Sequence, residues 1–207
     1  TEKELTTFLS KVPYAQRIPR EQRAGVAATL SVPTLKPPNR KTQSTQEAFG
    51  KIMNDLGRGS SDLAARIVTT SPDVTVSTNL GGWVNQRSPF HINRREDIFR
   101  QMHVASPQKW SQQPQGQHIE LGIAENNLFL LLSALGLSHD LFGERLIPVG
   151  TLYDPFIARG LDAMTYACYQ DSRFMLVATP SGIFWDVQGP FPENSKLDQK
   201  SGNITGN

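Results

Sequence analysis

Cysteine is nearly absent from this chain: Cys168 is the only one in 207 residues. An internal disulfide framework and a multi-cysteine zinc site are therefore excluded. Long apolar runs are missing too, and none approaches the roughly 18 residues needed to cross a bilayer. Residues 1–20, TEKELTTFLSKVPYAQRIPR, contain no uninterrupted apolar stretch of the kind a signal peptide requires. Charge of one sign is not in excess, since 21 Lys and Arg face 19 Asp and Glu, a net +2. That balance gives no footprint for nucleic acid. Together these absences lead to the expectation of a cytoplasmic protein with no membrane partner.

Common catalytic signatures are also lacking. No Gly-Lys-Ser/Thr phosphate loop occurs, and Gly57-Arg58-Gly59 has Asp62 where a dinucleotide loop needs its third glycine. It reads as a helix–helix turn. His91, His103, His118 and His139 are scattered, so no metal site is expected, although His118 and Glu120 fall on one face of a strand. Asn203-Ile204-Thr205 matches a glycosylation acceptor but has no secretory context. Cys168 sits in an apolar helical stretch and reads as a buried spectator thiol.

What is present divides into arm, core and tail. Hydrophobic residues make up 38% and charged residues 19%, enough for a packed core. Residues 1–44 begin with a short helix over Thr1 to Leu9. Pro13, Pro19, Pro33, Pro37 and Pro38 then mark an extended arm or linker. Residues 45–183 alternate helix and strand. Ser44 or Thr45 caps a helix carrying Phe49, Ile52, Met53 and Leu56 at helical spacing. SSDLAARIV reads as a second helix, Val74 to Ser77 as a strand and RREDIFRQM as a helix. Residues 123–137 form a helix apolar almost all round, so it must be covered on several sides. ERLIPVGTLY and RFMLVAT read as strands, joined by a helix starting at Asp154-Pro155. Strand–helix–strand with short joints predicts an α/β fold: three α/β/α layers on a mainly parallel sheet, preceded by the arm. Residues 184–207 are polar and aperiodic, an irregular tail.

Glu125 is the unusual residue of the core. It begins a helix whose following residues are overwhelmingly apolar. One explanation is electrostatic, since a carboxylate at a helix N-terminus complements the exposed amides. The other is chemical: a carboxyl at the edge of an apolar wall, placed to exchange a proton near neutrality.

The stretch Glu120-Leu121-Gly122-Ile123-Ala124-Glu125-Asn126-Asn127-Leu128 is followed by a buried helix, a strand and Gly150-Thr151-Leu152-Tyr153-Asp154-Pro155-Phe156, with Arg159 and Asp162. This pattern resembles the pyrimidine-binding domain of the transketolase-like thiamine diphosphate enzymes. It is most specific over 115–182 and nearest the homodimeric 2-oxoacid (pyruvate) dehydrogenase first component and transketolase. The resemblance implies that Glu125 is the family's activating glutamate, whose carboxyl hydrogen-bonds ring nitrogen N1′ of the aminopyrimidine and promotes loss of the thiazolium C2 proton. It places Phe156 against the aminopyrimidine face and Tyr153 in the same pocket. Asn79 and Leu80 would approach the cofactor from the loop after the first strand. Arg159 matches a cation that some relatives aim at a substrate phosphate, or else a helix-surface ion pair.

Two departures qualify the resemblance. The family holds the diphosphate and its Mg2+ with Gly-Asp-Gly followed by Asn on another domain, and no Gly-Asp-Gly occurs here. The 184–207 stretch does not continue the family pattern. The expectation is a half-site, sharing thiamine diphosphate with a diphosphate-binding domain on another chain or missing segment, which binds the Mg2+. Such a half-site would work as a homo- or hetero-oligomer joined through the 125–137 helix. The alternatives are a non-catalytic assembly module or truncated fragment that retains the fold, and an unrelated α/β small-molecule binder.

Overall fold

The amide of Glu47 donates to the Ser44 hydroxyl, and the Glu47 carboxylate accepts from the Ser44 amide, each at 3.1 Å. This reciprocal box starts the helix Thr45–Arg58 at Ser44, one of the two caps the sequence offers. The computed structural model describes residues 1–12, 30–36, 42–95, 97–106 and 108–179, and the backbone of 197–198 and 203–204. The elements in chain order are α1 (Glu2–Lys11), α2 (Thr45–Arg58), α3 (Asp62–Arg66), β1 (Ile67–Ser71), α4 (Gly81–Arg87), α5 (Ile98–Gln101), β2 (His118–Glu120), α6 (Glu125–Gly136), α7 (Ser138–Phe142), β3 (Ile147–Tyr153), a 3-10 helix (Asp154–Gly160), α8 (Leu161–Tyr169) and β4 (Met175–Thr179).

Four parallel strands form the sheet in the order β2-β1-β3-β4. Successive side chains along a strand point to opposite faces, so β3 and β4 each feed two cores. On one face Ile67 of β1 and Val149 of β3 pack with Met53 and Leu56 of α2 and with Leu80, Trp83 and Val84. On the other, Leu152 of β3 packs with Leu128, Phe129 and Leu132 of α6, Ile157, and Ala163 of α8. Fully burying a side chain such as Leu128 or Leu132 stabilises by about 1.5–3 kcal/mol. The result is the expected three-layer α/β/α arrangement on an all-parallel sheet.

Several local readings change. The SSDLAARIV helix stops at Arg66, and its β-branched end, Ile67-Val68, opens β1. The strand lies at 67–71 and not at Val74 to Ser77, which belongs to a turn. Pro72, with no amide to donate, closes β1. Helix α5 is only four residues long, well short of RREDIFRQM. The helix at Asp154 is 3-10 until Gly160 and α thereafter. Cys168 is exposed, against the expectation of burial. Helix α8 turns Ala163 and Ala167 inward, so the next position rotates away from the core. Helix α6 leaves one apolar side chain uncovered by the rest of the described residues: Leu130 is 53% exposed.

Helix α1 spans Glu2–Lys11 with no buried residue. In the tail, Leu197–Asp198 pairs antiparallel with Asn203–Ile204 where an irregular segment was expected. The rest of 184–207, and the arm over 13–29 and 37–41, lie outside the described residues. No helix among the described residues is long and apolar enough to cross a membrane.

Candidate functional site

The strand order reverses direction at β1: β2 lies on one side of it and β3 on the other. In open parallel sheets the crevice outside the carboxyl ends at such a switch point is the usual ligand site. Here the loop 72–80 leaves β1 and the 3-10 helix leaves β3, and they meet over that crevice.

The 72–80 loop is held from three directions. From below, the Thr78 hydroxyl bonds the Thr151 hydroxyl of β3 at 3.0 Å, with both residues buried. From α2, the Gln46 side-chain amide donates to the Ser77 carbonyl at 2.6 Å. Gly50 permits this closeness, because a Cβ there would lie 2.5 Å from the Asn79 carbonyl oxygen. From β2, Glu120 accepts from the Asp73 amide at 2.8 Å and from the Thr75 hydroxyl. His118, 1% exposed, has Nδ1 at 2.9 Å from the Thr69 hydroxyl and Nε2 at 3.0 Å from that of Thr75. Burial pushes the Glu120 carboxyl up, but hydrogen bonds from His118, Thr75 and the Asp73 amide outweigh it and hold it below its ordinary value. The strand register Thr69↔His118 and Ser71↔Glu120 creates this cluster. Sequence spacing shows only that His118 and Glu120 share a face, so Thr69 and Thr75 went unrecognised.

Across the crevice a continuous line of side chains runs from this loop to α6. The Tyr153 hydroxyl donates to the Ser77 hydroxyl at 2.6 Å. The rings of Tyr153 and Phe156 are 6.0 Å apart and tilted by 59°. The Arg159 guanidinium lies 3.9 Å from the Phe156 ring centroid and donates to Glu125 Oε1 at 2.7 Å. Glu125 opens α6 with its side chain 8% exposed, whereas the Arg159 side chain is 52% exposed. The α6 start and the 3-10 helix approach closely because residue 160 is glycine: a Cβ there would lie 2.1 Å from Cδ2 of Phe129.

Glu125, Tyr153, Phe156 and Arg159 therefore converge, although up to 34 residues separate them. Asn79 is exposed, in the left-handed region with φ 60°, and its backbone rests over Gly50. Leu80 is fully buried beside Met53 and Trp83, so it faces the core and does not line the crevice. Arg159 makes an ion pair, one of its two expected uses, and its partner is Glu125 itself.

A buried carboxylate beside an aromatic ring accepts a flat N–H donor that stacks, and the guanidinium of Arg159 is such a donor. A 4-aminopyrimidine presents the same combination once its ring nitrogen N1′ carries a proton. Among the described residues no group of three or more His, Cys, Asp or Glu could hold a metal ion. Compared with protein-family models and with curated proteins, the chain matches none.

Proposed function

We propose that this chain is the pyrimidine-binding half of a thiamine diphosphate-dependent enzyme of the 2-oxoacid dehydrogenase first component or transketolase type. The observation that carries the reading is the corner formed by Glu125 and Phe156, already shaped around a flat N–H donor. When bound, the cofactor would supply the electron sink for acyl or ketol transfer. Glu125 would accept or return a proton at its carboxylate oxygen, facing ring nitrogen N1′. Its low exposure excludes water that would otherwise compete for that proton. Phe156 would stack on the ring, a contact of order 1 kcal/mol. Tyr153, anchored to Ser77, would fix the wall between the two strand ends, and the Asn79 backbone would close the β1 side.

The anionic half of the cofactor and its Mg2+ would be held by a diphosphate-binding domain on another chain or segment. The exposed Leu130 on α6 and Ile123 just before it offer apolar surface for that oligomeric contact. A cytoplasmic location accords with this chemistry. The second reading is a non-catalytic assembly module or truncated fragment that keeps the fold, which neighbouring reading frames lacking Gly-Asp-Gly and its following Asn would favour.

Calorimetric titration with thiamine diphosphate and Mg2+ decides between them. It is run with the chain alone and with a partner protein carrying Gly-Asp-Gly and the following Asn. Saturable binding that requires both chains, and that is lost in Glu125→Gln, supports the catalytic half-site. Association of the two chains with no dependence on the cofactor or on Glu125 favours the assembly module.

A further inference from the structure

We infer that Arg159 is the built-in occupant of the Glu125–Phe156 corner, and that a flat amidine-type ring binds there only after Arg159 leaves. This rests on the reading of the corner as an aminopyrimidine site and adds a competitor to it. Two contacts of different physical kind place the guanidinium there: the charge-assisted bond to Glu125 Oε1 at 2.7 Å, and the cation–π contact that sets the guanidinium carbon over Phe156, 3.9 Å from the ring centroid. Each engages the feature that a pyrimidine would use, the carboxylate through an N–H and the ring through a face. Both groups cannot hold the same oxygen and the same ring face together.

The exposures say which partner moves. Glu125 is anchored, with its side chain 8% exposed at the start of a packed helix, whereas that of Arg159 is 52% exposed. Swinging the guanidinium out hydrates a half-exposed cation easily, but it leaves the buried Glu125 carboxylate without its partner, and that cost keeps the corner mostly closed. The Phe156 face and Oε1 are then free. Ligand affinity is reduced by the fraction of molecules in which the corner is vacated. A corner open in about one molecule in ten weakens binding about tenfold. Lysine at this position would retain charge but lose the planar fork that matches carboxylate and ring together.

The test uses the full 207-residue chain and two small probes. One is 4-amino-5-hydroxymethyl-2-methylpyrimidine, which lacks the diphosphate. The other is ethylguanidinium chloride, with potassium chloride as its ionic-strength control. Binding is followed by NMR shifts of aromatic ring protons and by calorimetry. Arg159→Ala is expected to bind the pyrimidine about tenfold tighter than wild type, with Arg159→Lys between them. Ethylguanidinium is expected to displace the pyrimidine from Arg159→Ala, and the double variant with Glu125→Gln to bind neither.

Equal pyrimidine affinity in wild type and Arg159→Ala overturns the inference and leaves the proposed function standing. If ethylguanidinium binds Arg159→Ala but the pyrimidine binds no variant, the cofactor reading falls and Arg159 remains the corner's occupant. Failure of both probes removes both.

Discussion

Tyr153 and Ser77 are 76 residues apart, yet their hydroxyls meet at 2.6 Å above the two strands flanking the sheet's switch point. The bond closes the crevice from above while Thr78 and Thr151 close it from below at 3.0 Å. The 72–80 loop is thereby pinned to β3 at two successive positions, and the Phe156 ring is carried by the segment that leaves the same strand.

Tyr153→Phe removes the upper tie alone. The bond is solvent-exposed, so the stability loss should not exceed about 1 kcal/mol. The local effect should be larger than the global one. Faster amide hydrogen exchange at Thr78 and Leu80, with an almost unchanged denaturation midpoint, is the expected outcome. A uniform rise in exchange across the sheet would mean that the hydroxyl supports the whole fold.

Gly160→Ala tests how the two halves of the corner are brought together. The backbone conformation of Gly160, φ −127°, suits any residue, so the effect is steric. The added carbon would lie 2.1 Å from Cδ2 and 2.7 Å from Cε2 of Phe129, and 3.2 Å from the Glu125 carbonyl oxygen. Overpacking of this kind costs about 1–3 kcal/mol. Urea unfolding should show the loss. A variant as stable as wild type would mean that α6 and the 3-10 helix slide apart freely, contrary to the packing of Phe129 in the core.

Much of this architecture is readable from residue order. Ser44 or Thr45 announces α2, and the spacing of Phe49, Ile52, Met53 and Leu56 gives its buried side. The run ERLIPVGTLY is apolar enough to require a central strand. Glu125 stands out because its helix contains almost nothing else that is charged. Elsewhere tertiary pairing decides. Ile67 and Val68 continue a helical pattern on paper, but pairing with Ile147 and Pro148 of β3 converts them to strand. The Thr69–His118–Thr75 contacts exist only once β1 and β2 are in register, and the Arg159–Glu125 pair only once α6 lies beside the 3-10 helix. Neither has a local signature. The resemblance brings Leu80 to the cofactor with the rest of its loop, whereas the side chain anchors that loop in the core beside Trp83.

Glu120 makes acid stability testable. Its carboxyl is held below the ordinary value of 4.5, so the folded state binds its proton less readily than the unfolded chain. The contribution is complete above that ordinary value and is lost as pH falls through the folded-state value. Thermal melts of wild type over about pH 3 to 6 should show this decline. Glu120→Gln should be less stable near neutrality and should show a flatter acid limb. An identical pH profile in the two proteins would mean that the Asp73 amide and the Thr75 hydroxyl bond the carboxylate no better than water does.

Glu125→Gln separates the two explanations of this carboxylate. The amide is nearly isosteric, so the packing of α6 around Leu128 and Phe129 should persist. Its oxygen can still accept from Arg159, and the lost charge interaction involves a half-exposed cation, a contribution of about 0–1 kcal/mol. The favourable term at the helix N-terminus, about 0.3–1 kcal/mol, also disappears. Stability should therefore fall by no more than about 2 kcal/mol. If Glu125 serves only the helix dipole and the ion pair, that loss is the entire effect. If it is the proton-exchanging group, the assembled enzyme should also lose activity by at least the 10²–10⁴-fold typical of general acid–base catalysis. Exchange of the thiazolium C2 proton into deuterium, followed by NMR in the assembled enzyme, gives the second reading independently of turnover. Slow exchange in a variant that melts almost like wild type assigns the carboxylate to chemistry, whereas unchanged exchange returns it to the helix terminus.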